Sequence, residues 1–442
     1  MNRMSRLSGP TQPPAEPQLP AVARRRRAAR SGPFGVLDIG SSKIVCIIAR
    51  VEGDGEPRVL GFGWHRSRGV KAGSITDLEE AERAIRAAVA QAEEQAQIRL
   101  TEVVVNLSCG QPESRIQQVN WHLGGRAVTE ADLRAVLHEA RRRNTAPDAV
   151  EPREMVHAFP LGFSVDSTNG VEDPRGMICE NIGAWVHMVD AGSAALRNLG
   201  AGLGRCELDA QELVSAPYAA GLATLVEDEK QLGATVIDMG GGTTSLAVFH
   251  EGQMVHAAHI PVGGIRVTSA IAQALSTPMV DAETIKTKFG SVQEAPQDEK
   301  EWLHVQQMGE DADQIVRVPR AMVVRIIRPR LEETFELVRA RLEAAGVTAD
   351  MGRRVVLCGG ASQLVGVREL AAQVLDRQVR LARPHQVRGL PEIASGPAFA
   401  TACGMLAWAN GEGRPLFDLA PGADRAPGFY HRLIHWLRDR VA

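Results

Sequence analysis

A repeated pattern constrains the fold of this chain more than any other feature of its sequence. Residues 36–49 read VLDIGSSKIVCIIA, and residues 236–249 read VIDMGGGTTSLAVF. Each stretch has an apolar run, an aspartate, a turn of small residues and a second apolar run. Apolar runs on both sides of a glycine-containing turn predict a β-hairpin. A chain that builds this hairpin twice is expected to contain two similar α/β domains with a shared site between them.

The turns of both hairpins have the chemistry of an anion site. Glycine and small hydroxyl residues let backbone N–H groups approach a phosphate closely. Further donors are the hydroxyls of Ser41, Ser42, Thr243 and Thr244. Asp38 and Asp238 cannot bind phosphate directly, but each can hold a hydrated Mg²⁺. Two such turns facing each other would clasp the β- and γ-phosphates of a nucleotide, whereas either one alone is also consistent with an ordinary glycine-rich hairpin.

A third glycine-containing element follows much later in the chain. Residues 355–367 read VVLCGGASQLVGV, which predicts a strand, a Gly-Gly turn and a helix. Gly359, Gly360 and Ala361 suit close packing against a flat base and ribose, although glycines occur in many strand-to-helix turns. The stretch is not a G-x-x-x-x-G-K-[ST] loop, which argues against a P-loop site.

Composition limits the class of protein. A chain of 442 residues is expected to form two or more domains. Its 44% apolar and 23% charged residues are ordinary for a soluble globular protein, and a net charge of -3 predicts no nucleic-acid partner. The six cysteines include no C-x-x-C pair, which argues against a zinc site or a disulfide framework. No apolar run reaches the roughly 20 residues that span a bilayer.

Local patterns divide the chain further. Residues 1–32 are rich in Pro, Ala and Arg and predict a disordered basic tail, either simply solvated or in contact with anionic lipid or another acidic surface. They contain no apolar segment of a secretory signal. The folded elements predicted are a three-strand meander from residue 34, a helix over 76–96, an inserted unit near 100–188, a helical and polar region near 262–338, and a linker over 410–428.

Residues 429–442 predict an amphipathic helix. With helical periodicity, its apolar side includes Phe429, Leu433, Trp436 and Leu437, and its polar side includes Arg432 and Arg438. Aromatic residues on one side and arginines on the other are typical of a helix that lies in a membrane surface. The alternative is a terminal helix docked on the protein's own core. One short helix binds lipid weakly, so firm attachment needs many copies, as in a polymer.

The order of the three glycine-containing elements resembles the actin-like ATPase superfamily. Within it, residues 67–85 and 260–290 are similar to the corresponding segments of the FtsA family of bacterial cell division proteins. The resemblance covers nearly everything from residue 34 onward. It implies an α/β, actin-like (ribonuclease H-like) two-domain ATPase fold with an inserted 1C subdomain in place of 1B.

The resemblance also implies an order of subdomains. After the tail (1–32), these are 1A (33–99), 1C (100–188), 1A continued (189–212), 2A (213–261), 2B (262–338), 2A continued (339–384), the last part of 1A (385–409), the linker (410–428) and a membrane-targeting helix (429–442).

ATP with Mg²⁺ is the cofactor that the resemblance implies, with Asp38 and Asp238 as metal positions through water. The residues implied around it are Asp38, Gly40, Ser41, Ser42 and Lys43 on one side, Asp238, Gly240, Gly241, Gly242, Thr243 and Thr244 on the other, and Gly359, Gly360 and Ala361 at the adenosine. Glu283 and Lys286 match positions that reach the base and ribose, although such residues also suit a solvated helix face.

One departure from the superfamily pattern concerns hydrolysis. Relatives that hydrolyse ATP often place Glu, Asp or Gln where Ala216 stands, to orient the attacking water. Glu212 is nearby, but on a helix it would face elsewhere. We therefore expect nucleotide binding with weak or no ATPase activity, and no catalytic residue is assigned.

The FtsA resemblance implies specific partners and a location. They are the C-terminal tail of the tubulin-like protein FtsZ at Arg330 and Glu333, further copies of the chain, later division proteins, and lipid on the cytoplasmic face of the inner membrane at the division septum. An exposed charged helix is the plainer interpretation of Arg330 and Glu333. A small-molecule kinase or a PilM-like pilus adaptor of the same superfamily are the alternative functions. A chaperone or an MreB-like protein fits the chain's C-terminal part less well.

Overall fold

The computed structural model describes residues 32–53, 55–142, 151–308, 315–348 and 351–413. Apart from Gly32, the predicted basic tail lies outside these residues, as do residues 414–428 of the predicted linker and the whole predicted helix at 429–442. None of the described helices is both long and apolar enough to cross a membrane.

The strands are, in chain order, β1 (Pro33–Ile39), β2 (Lys43–Val51), β3 (Pro57–Arg66), β4 (Val70–Lys71), β5 (Ser74–Ile75), β6 (Glu102–Leu107), β7 (Glu113–Ala127), β8 (Arg153–Val165), β9 (Thr168–Val171), β10 (Ile178–Gly192), β11 (Asp209–Ser215), β12 (Ala234–Met239), β13 (Thr244–His250), β14 (Gln253–Ile260), β15 (Trp302–Gln306), β16 (Ile315–Pro319), β17 (Arg354–Cys358) and β18 (Gln378–Leu381).

The helices are α1 (Leu78–Ala96), α2 (Glu130–Arg142), α3 (Ser193–Arg205), α4 (Ala216–Thr224), α5 (Glu227–Leu232), α6 (Gly264–Leu275), α7 (Met279–Phe289), α8 (Arg320–Ala344), α9 (Val367–Leu375) and α10 (Ala400–Ala409), with short 3₁₀ turns between some of them.

The first domain is built on a five-stranded sheet with the order β11-β6-β1-β2-β3. Strands β1 to β3 form the predicted antiparallel meander, and β6 pairs in parallel with β1 and β11. The two strands of the first hairpin are buried along most of their length. A strand that is covered on both faces is apolar throughout, which explains the two continuous apolar runs in the sequence. The predicted helix is α1, and its N-cap Asp77 accepts from the N–H groups of Glu79 and Glu80 at 3.0 Å.

The inserted unit is a separate four-stranded sheet with the order β7-β10-β8-β9 and one helix, α2, with a core of its own. Its predicted range, 100–188, starts too early, because β6 belongs to the first sheet and the inserted sheet begins at β7. Strand β7 was not predicted, since most of its side chains are exposed or half-exposed. The last inserted strand also runs past residue 188, to the end of β10.

The second domain repeats the plan of the first. Its sheet has the order β14-β13-β12-β17-β18, with β12 antiparallel to β13 and parallel to β17. Helices α6 to α8 lie in the region that was predicted to be helical, and β15 and β16 form a two-stranded sheet that was not predicted. The predicted boundary between residues 338 and 339 falls inside α8.

Two helices join the domains. Helix α4 leads from β11 of the first sheet towards the second, and α10 returns after β18 to pack against α4. Because β11 pairs with β6 as far as Ser215, the predicted boundary at residue 213 falls inside a first-domain strand. A Cβ atom at Gly404 would lie 1.7 Å from the carbonyl oxygen of Ala219, so the two helix backbones touch. We call α4 and α10 the hinge helices.

Candidate functional site

The two predicted hairpin turns have the same closed geometry. The N–H of Gly40 donates to the carbonyl oxygen of Lys43 at 3.1 Å, and the N–H of Gly240 donates to that of Thr243 at 2.8 Å. Each turn therefore reverses the chain tightly at the end of β1 or β12. We call residues 40–43 and 240–243 the twin turns.

The twin turns also contact each other across the two domains. A Cβ atom at Gly241 would lie 2.7 Å from Cβ of Ser42, and one at Gly242 would lie 2.4 Å from Oγ of Ser41. The Ser41 hydroxyl in turn accepts from the N–H of Gly73 at 3.0 Å. Glycine is required at these positions because real Cβ atoms do not approach other atoms so closely. The predicted facing arrangement of the two turns is therefore what the structure has.

Two buried carboxylates lie at the ends of the strands that lead into these turns. The pKa of Asp38 is raised to about 6, mainly because the carboxyl group is buried; Lys43 opposes this shift and the neighbouring Asp238 adds to it. Burial also raises the pKa of Asp238, while a hydrogen bond from the Thr401 hydroxyl at 2.7 Å favours its ionised form. A cation close to both carboxyl groups would stabilise their ionised forms. Carboxylate oxygens are also ligands that Mg²⁺ accepts.

Lys43 places a fixed cation beside the first turn. Its Nζ donates to the carbonyl oxygen of Ala398 at 2.5 Å and lies 4.8 Å from the ring centroid of Phe399. The carbonyl and the ring orient the ammonium without neutralising it by an ion pair. Lys43 is therefore placed to attract an anion to the first turn.

The third predicted element approaches the same carboxylates. Gly359 has a φ of +84°, and a Cβ atom there would lie 2.3 Å from Oδ1 of Asp238 and 2.5 Å from the carbonyl oxygen of Met239. Its N–H donates to the carbonyl oxygen of Pro397 at 3.0 Å. The strand-to-helix turn is thus held against the second hairpin, and only glycine fits there.

Glu283 and Lys286 lie in α7 and form a polar cluster with the start of α6. The Lys286 ammonium is buried and donates to Oε2 of Glu283 at 2.7 Å, to the hydroxyl of Thr268 at 2.8 Å and to the carbonyl oxygen of Gly264 at 3.1 Å. The N–H of Gly264 donates to the carbonyl oxygen of Gly240 at 3.0 Å. The cluster is therefore connected directly to the second turn, with Lys286 buried and the Glu283 side chain 44% exposed.

Together these elements enclose a cleft of about 850 Å³ between the domains. A volume of this size suits a nucleotide-sized ligand. The predicted residues that line it are Asp38, Gly40, Ser41, Ser42, Lys43, Asp238, Gly240, Gly241, Thr243, Glu283, Lys286, Gly359, Gly360 and Ala361. Gly242 and Thr244 are not in its wall. Gly242 is packed against the first turn, and the buried Thr244 hydroxyl donates to the carbonyl oxygen of Val262 at 2.8 Å.

Sequence reasoning missed several polar residues of the cleft, among them Asn106, Ser108, Thr268 and Thr401. Asn106 is the clearest case. Its Oδ1 accepts from the N–H of Ile39 at 2.7 Å, and its Nδ2 donates to the Ser108 hydroxyl at 3.1 Å. An asparagine near the end of an otherwise apolar strand was the available indication, since parallel strands end at the same edge of a sheet.

The prediction that Glu212 lies on a helix is wrong. Glu212 lies in strand β11 and not on a helix, and its Oε2 accepts from Nε1 of Trp408 at 2.7 Å. Ala216, the first residue of α4, does line the cleft, as the alignment of motifs predicted. The position that carries a polar side chain in many hydrolysing relatives therefore presents only a methyl group.

Arg330 and Glu333 lie on the surface of α8 and do not line the cleft. Glu333 is shared between two arginines, with Arg330 at 3.3 Å and Arg266 of α6 at 2.7 Å. All three side chains are about half exposed, so the pairs are worth little to stability and remain open to exchange with another charged group.

Comparison with known proteins decides the family. Residues 235–404 match the family model described as cell division protein FtsA, and residues 109–190 match the SHS2 domain inserted in FtsA. Over 428 residues the chain is 40% identical to the cell division protein FtsA of Rhizobium meliloti (strain 1021), covering 93% of this chain and 95% of the relative. The chain belongs to the FtsA family. The FtsA of Escherichia coli (strain K12) is 31% identical over 382 residues, covering 84% of this chain and 88% of the relative.

The fold expectation is confirmed. A chain of the PilM–PilN type IV pilus biogenesis complex superposes with a TM-score of 0.60 at 20% identity, covering 86% of this chain and 99% of that one. The protein thus has the actin-like two-domain ATPase fold, with the inserted 1C subdomain in place of 1B. The inserted sheet and α2 are the SHS2 domain of FtsA. Membership of FtsA, a family of cell division proteins, supports an actin-like role in cell division.

Proposed function

We propose that this FtsA-family protein binds ATP with Mg²⁺ in its cleft, self-associates, and anchors FtsZ filaments to the cytoplasmic face of the membrane. It would act at the division septum as a peripheral protein and recruit later division proteins. The observation that carries the proposal is the pair of twin turns, which touch across the domains beside two buried carboxylates.

The residues of the cleft fit this ligand. Tight glycine turns and small hydroxyls bring N–H and O–H donors to a phosphate, and Lys43 adds a positive charge. Asp38 and Asp238 would hold a hydrated Mg²⁺ through its water ligands, and the charge of the two buried carboxylates would then be balanced. Bound ATP would supply a polyphosphate for the donors of both turns, which would favour the closed arrangement of the domains.

Weak hydrolysis is part of the proposal. The methyl group of Ala216 cannot accept a proton from water, and the neighbouring Glu212 is engaged by Trp408. Nucleotide would then act mainly as a ligand that favours self-association. This agrees with the weak membrane affinity expected of one short helix, because only an assembly brings many helices to the surface together.

The membrane contact is assigned to residues 429–442, which lie outside the described residues. Phe429, Leu433, Trp436 and Leu437 would enter the lipid, and Arg432 and Arg438 would lie among anionic headgroups. Each arginine adds roughly 1 kcal/mol near anionic lipid.

The FtsZ tail is assigned to α8 at Arg330 and Glu333. Position and charge support this assignment. The ion pairs of Glu333 with Arg266 and Arg330 are about half exposed, so an acidic peptide can replace Glu333 as the partner of either arginine.

The test is co-sedimentation with vesicles of anionic and zwitterionic phospholipid, with and without ATP and Mg²⁺. The full chain should pellet, more so with ATP, and a chain ending at Gly428 should stay in solution. Trp436→Glu in the apolar side of the helix should reduce the pelleted fraction roughly tenfold, since it exchanges several kcal/mol of apolar burial for a charge.

Two results would contradict this. If the full chain and the shortened chain both stay in solution, the helix is structural and a soluble adaptor of the PilM type becomes the better interpretation. If both pellet equally, the basic N-terminal segment is the anchor. In the positive case, addition of FtsZ filaments to the same vesicles tests the second half of the proposal.

A further inference from the structure

The inserted domain contacts the second domain as well as the first. Ser114, near the start of β7, accepts a hydrogen bond from the backbone N–H of Ala257 in β14 at 2.8 Å. The same hydroxyl shares a hydrogen bond with Nδ1 of His256 at 3.2 Å. Strand β14 is an edge strand of the second sheet, so its free N–H groups need a partner from outside that sheet. One serine of the insert therefore supplies a partner that the second domain lacks.

This contact is the polar part of a closed surface, which we call the seam. Leu107, Pro112 and Val189 lie on its first-domain and insert side, and Ala257, Ala258 and His259 lie on its second-domain side. Only a gap of about 10 Å³ remains among them. The insert is thus packed against the second domain and does not project from the first domain alone.

The insert also contacts the hinge helices. Nε2 of His157 in β8 accepts from the N–H of Ser215, the N-cap of α4, at 2.9 Å. The ring of Phe159, also in β8, lies 5.4 Å from that of Tyr218 in α4 and 6.0 Å from that of Trp408 in α10. These contacts join the insert to both of the helices that connect the two domains.

We propose that the insert is coupled to the cleft through the seam and the hinge helices. Opening or closing the cleft turns β14 relative to β7, so the Ser114–Ala257 contact breaks or re-forms with the cleft. The orientation of the insert then depends on whether the cleft is filled. A partner protein that binds across the insert and the second domain would then change the affinity for ATP. By linkage, ATP would change the affinity for that partner by the same factor. This inference rests on the proposed ATP binding.

A single hydroxyl is well suited to a reversible contact of this kind. It satisfies one edge-strand N–H and costs little to separate, because water can replace it once the seam opens. The apolar residues beside it set the closed position, and the hydrogen bonds fix which residues of the two strands face each other. Ser114 is therefore a positioning residue for the insert and does not touch the proposed ligand.

The test is hydrogen–deuterium exchange of the full chain with and without ATP and Mg²⁺. In the wild-type chain, ATP should slow exchange in the second turn (236–245) and change exchange at least twofold in both seam peptides (113–120 and 253–260). In Ser114→Ala, exchange of 253–260 should rise roughly fivefold without ATP, as expected for loss of one hydrogen bond. ATP should still slow exchange at 236–245 but no longer change it at 113–120.

Two control variants keep the result interpretable. Ser114→Thr retains the hydroxyl and should respond to ATP as the wild type does. Thr168→Ala removes an exposed hydroxyl from β9, elsewhere on the insert, and should change nothing. The coupling is wrong if ATP slows exchange at 236–245 while exchange in both wild-type seam peptides stays unchanged. It is also wrong if Ser114→Ala responds to ATP as the wild type does. In both cases the proposed function stands. If ATP has no effect at 236–245, the proposed function fails and the inference with it.

Discussion

Replacing Gly359 with alanine should weaken ATP binding at least a hundredfold, which corresponds to roughly 3 kcal/mol. Gly359 has a φ of +84°, where an alanine is strained, and its Cβ would lie 2.3 Å from Oδ1 of Asp238. The nearest atoms are a buried carboxylate and the backbone of Met239, neither of which can move aside freely. The substitution therefore displaces a proposed metal position and the adenosine turn together. Binding is measured by fluorescence titration with a labelled ATP analogue.

The matched control for Gly359 is Gly396→Ala. Gly396 precedes Pro397, whose carbonyl oxygen accepts from the N–H of Gly359, and a Cβ atom there meets nothing within 4 Å. This variant should bind the analogue as the wild type does. Circular dichroism should show that both variants are folded. A Gly359→Ala chain that is folded and binds within threefold of the wild type would contradict the assigned site.

The largest effect on stability is expected at the crossing of the hinge helices. Alanine at Gly404 places its Cβ 1.7 Å from the carbonyl oxygen of Ala219, so the two helices must separate. Overpacking that moves backbone costs about 3 kcal/mol or more, and every buried contact between α4 and α10 is weakened with it. Thermal unfolding should therefore begin at least roughly 5 °C lower than in the wild type.

Gly200→Ala is the control, and it should raise the stability of the protein where Gly404→Ala lowers it. Gly200 lies inside α3, and a Cβ atom there meets nothing within 4 Å. Alanine should stabilise the helix by up to about 1 kcal/mol, because glycine is the poorer helix former. Equal melting temperatures for Gly404→Ala and Gly200→Ala would show that the hinge helices do not touch as described.

The parts of the site that were predicted from the sequence are those whose residues lie close together in the chain. Each twin turn needs its aspartate, its glycines and its hydroxyls within a few residues, so the pattern is visible in the chain. Gly359 is another such case, because its strand, Gly-Gly turn and helix are adjacent in the chain, although only the two hairpins gave this common pattern its meaning. These short stretches supply about a third of the residues that line the cleft.

The parts that were missed depend on pairing between distant segments. Whether β6 belongs to the insert or to the first sheet is decided by its partners β1 and β11, which lie far away in the chain. Strand β7 is mostly exposed, so its hydrophobic pattern is weak. Thr401 reaches Asp238 only because α10 returns to the first domain after the second is complete. Glu212 was misplaced because its segment continues β11 before α4 begins.

Calorimetric titration of the full wild-type chain with ATP, in Mg²⁺ and again in excess chelator, shows whether the cleft binds this nucleotide with its metal. We expect one ATP per chain, with weaker binding when the metal is removed, because Asp38 and Asp238 would then face the phosphates without a cation between them. Absence of heat in both titrations, or binding that is unaffected by the chelator and by Gly359→Ala, would contradict it.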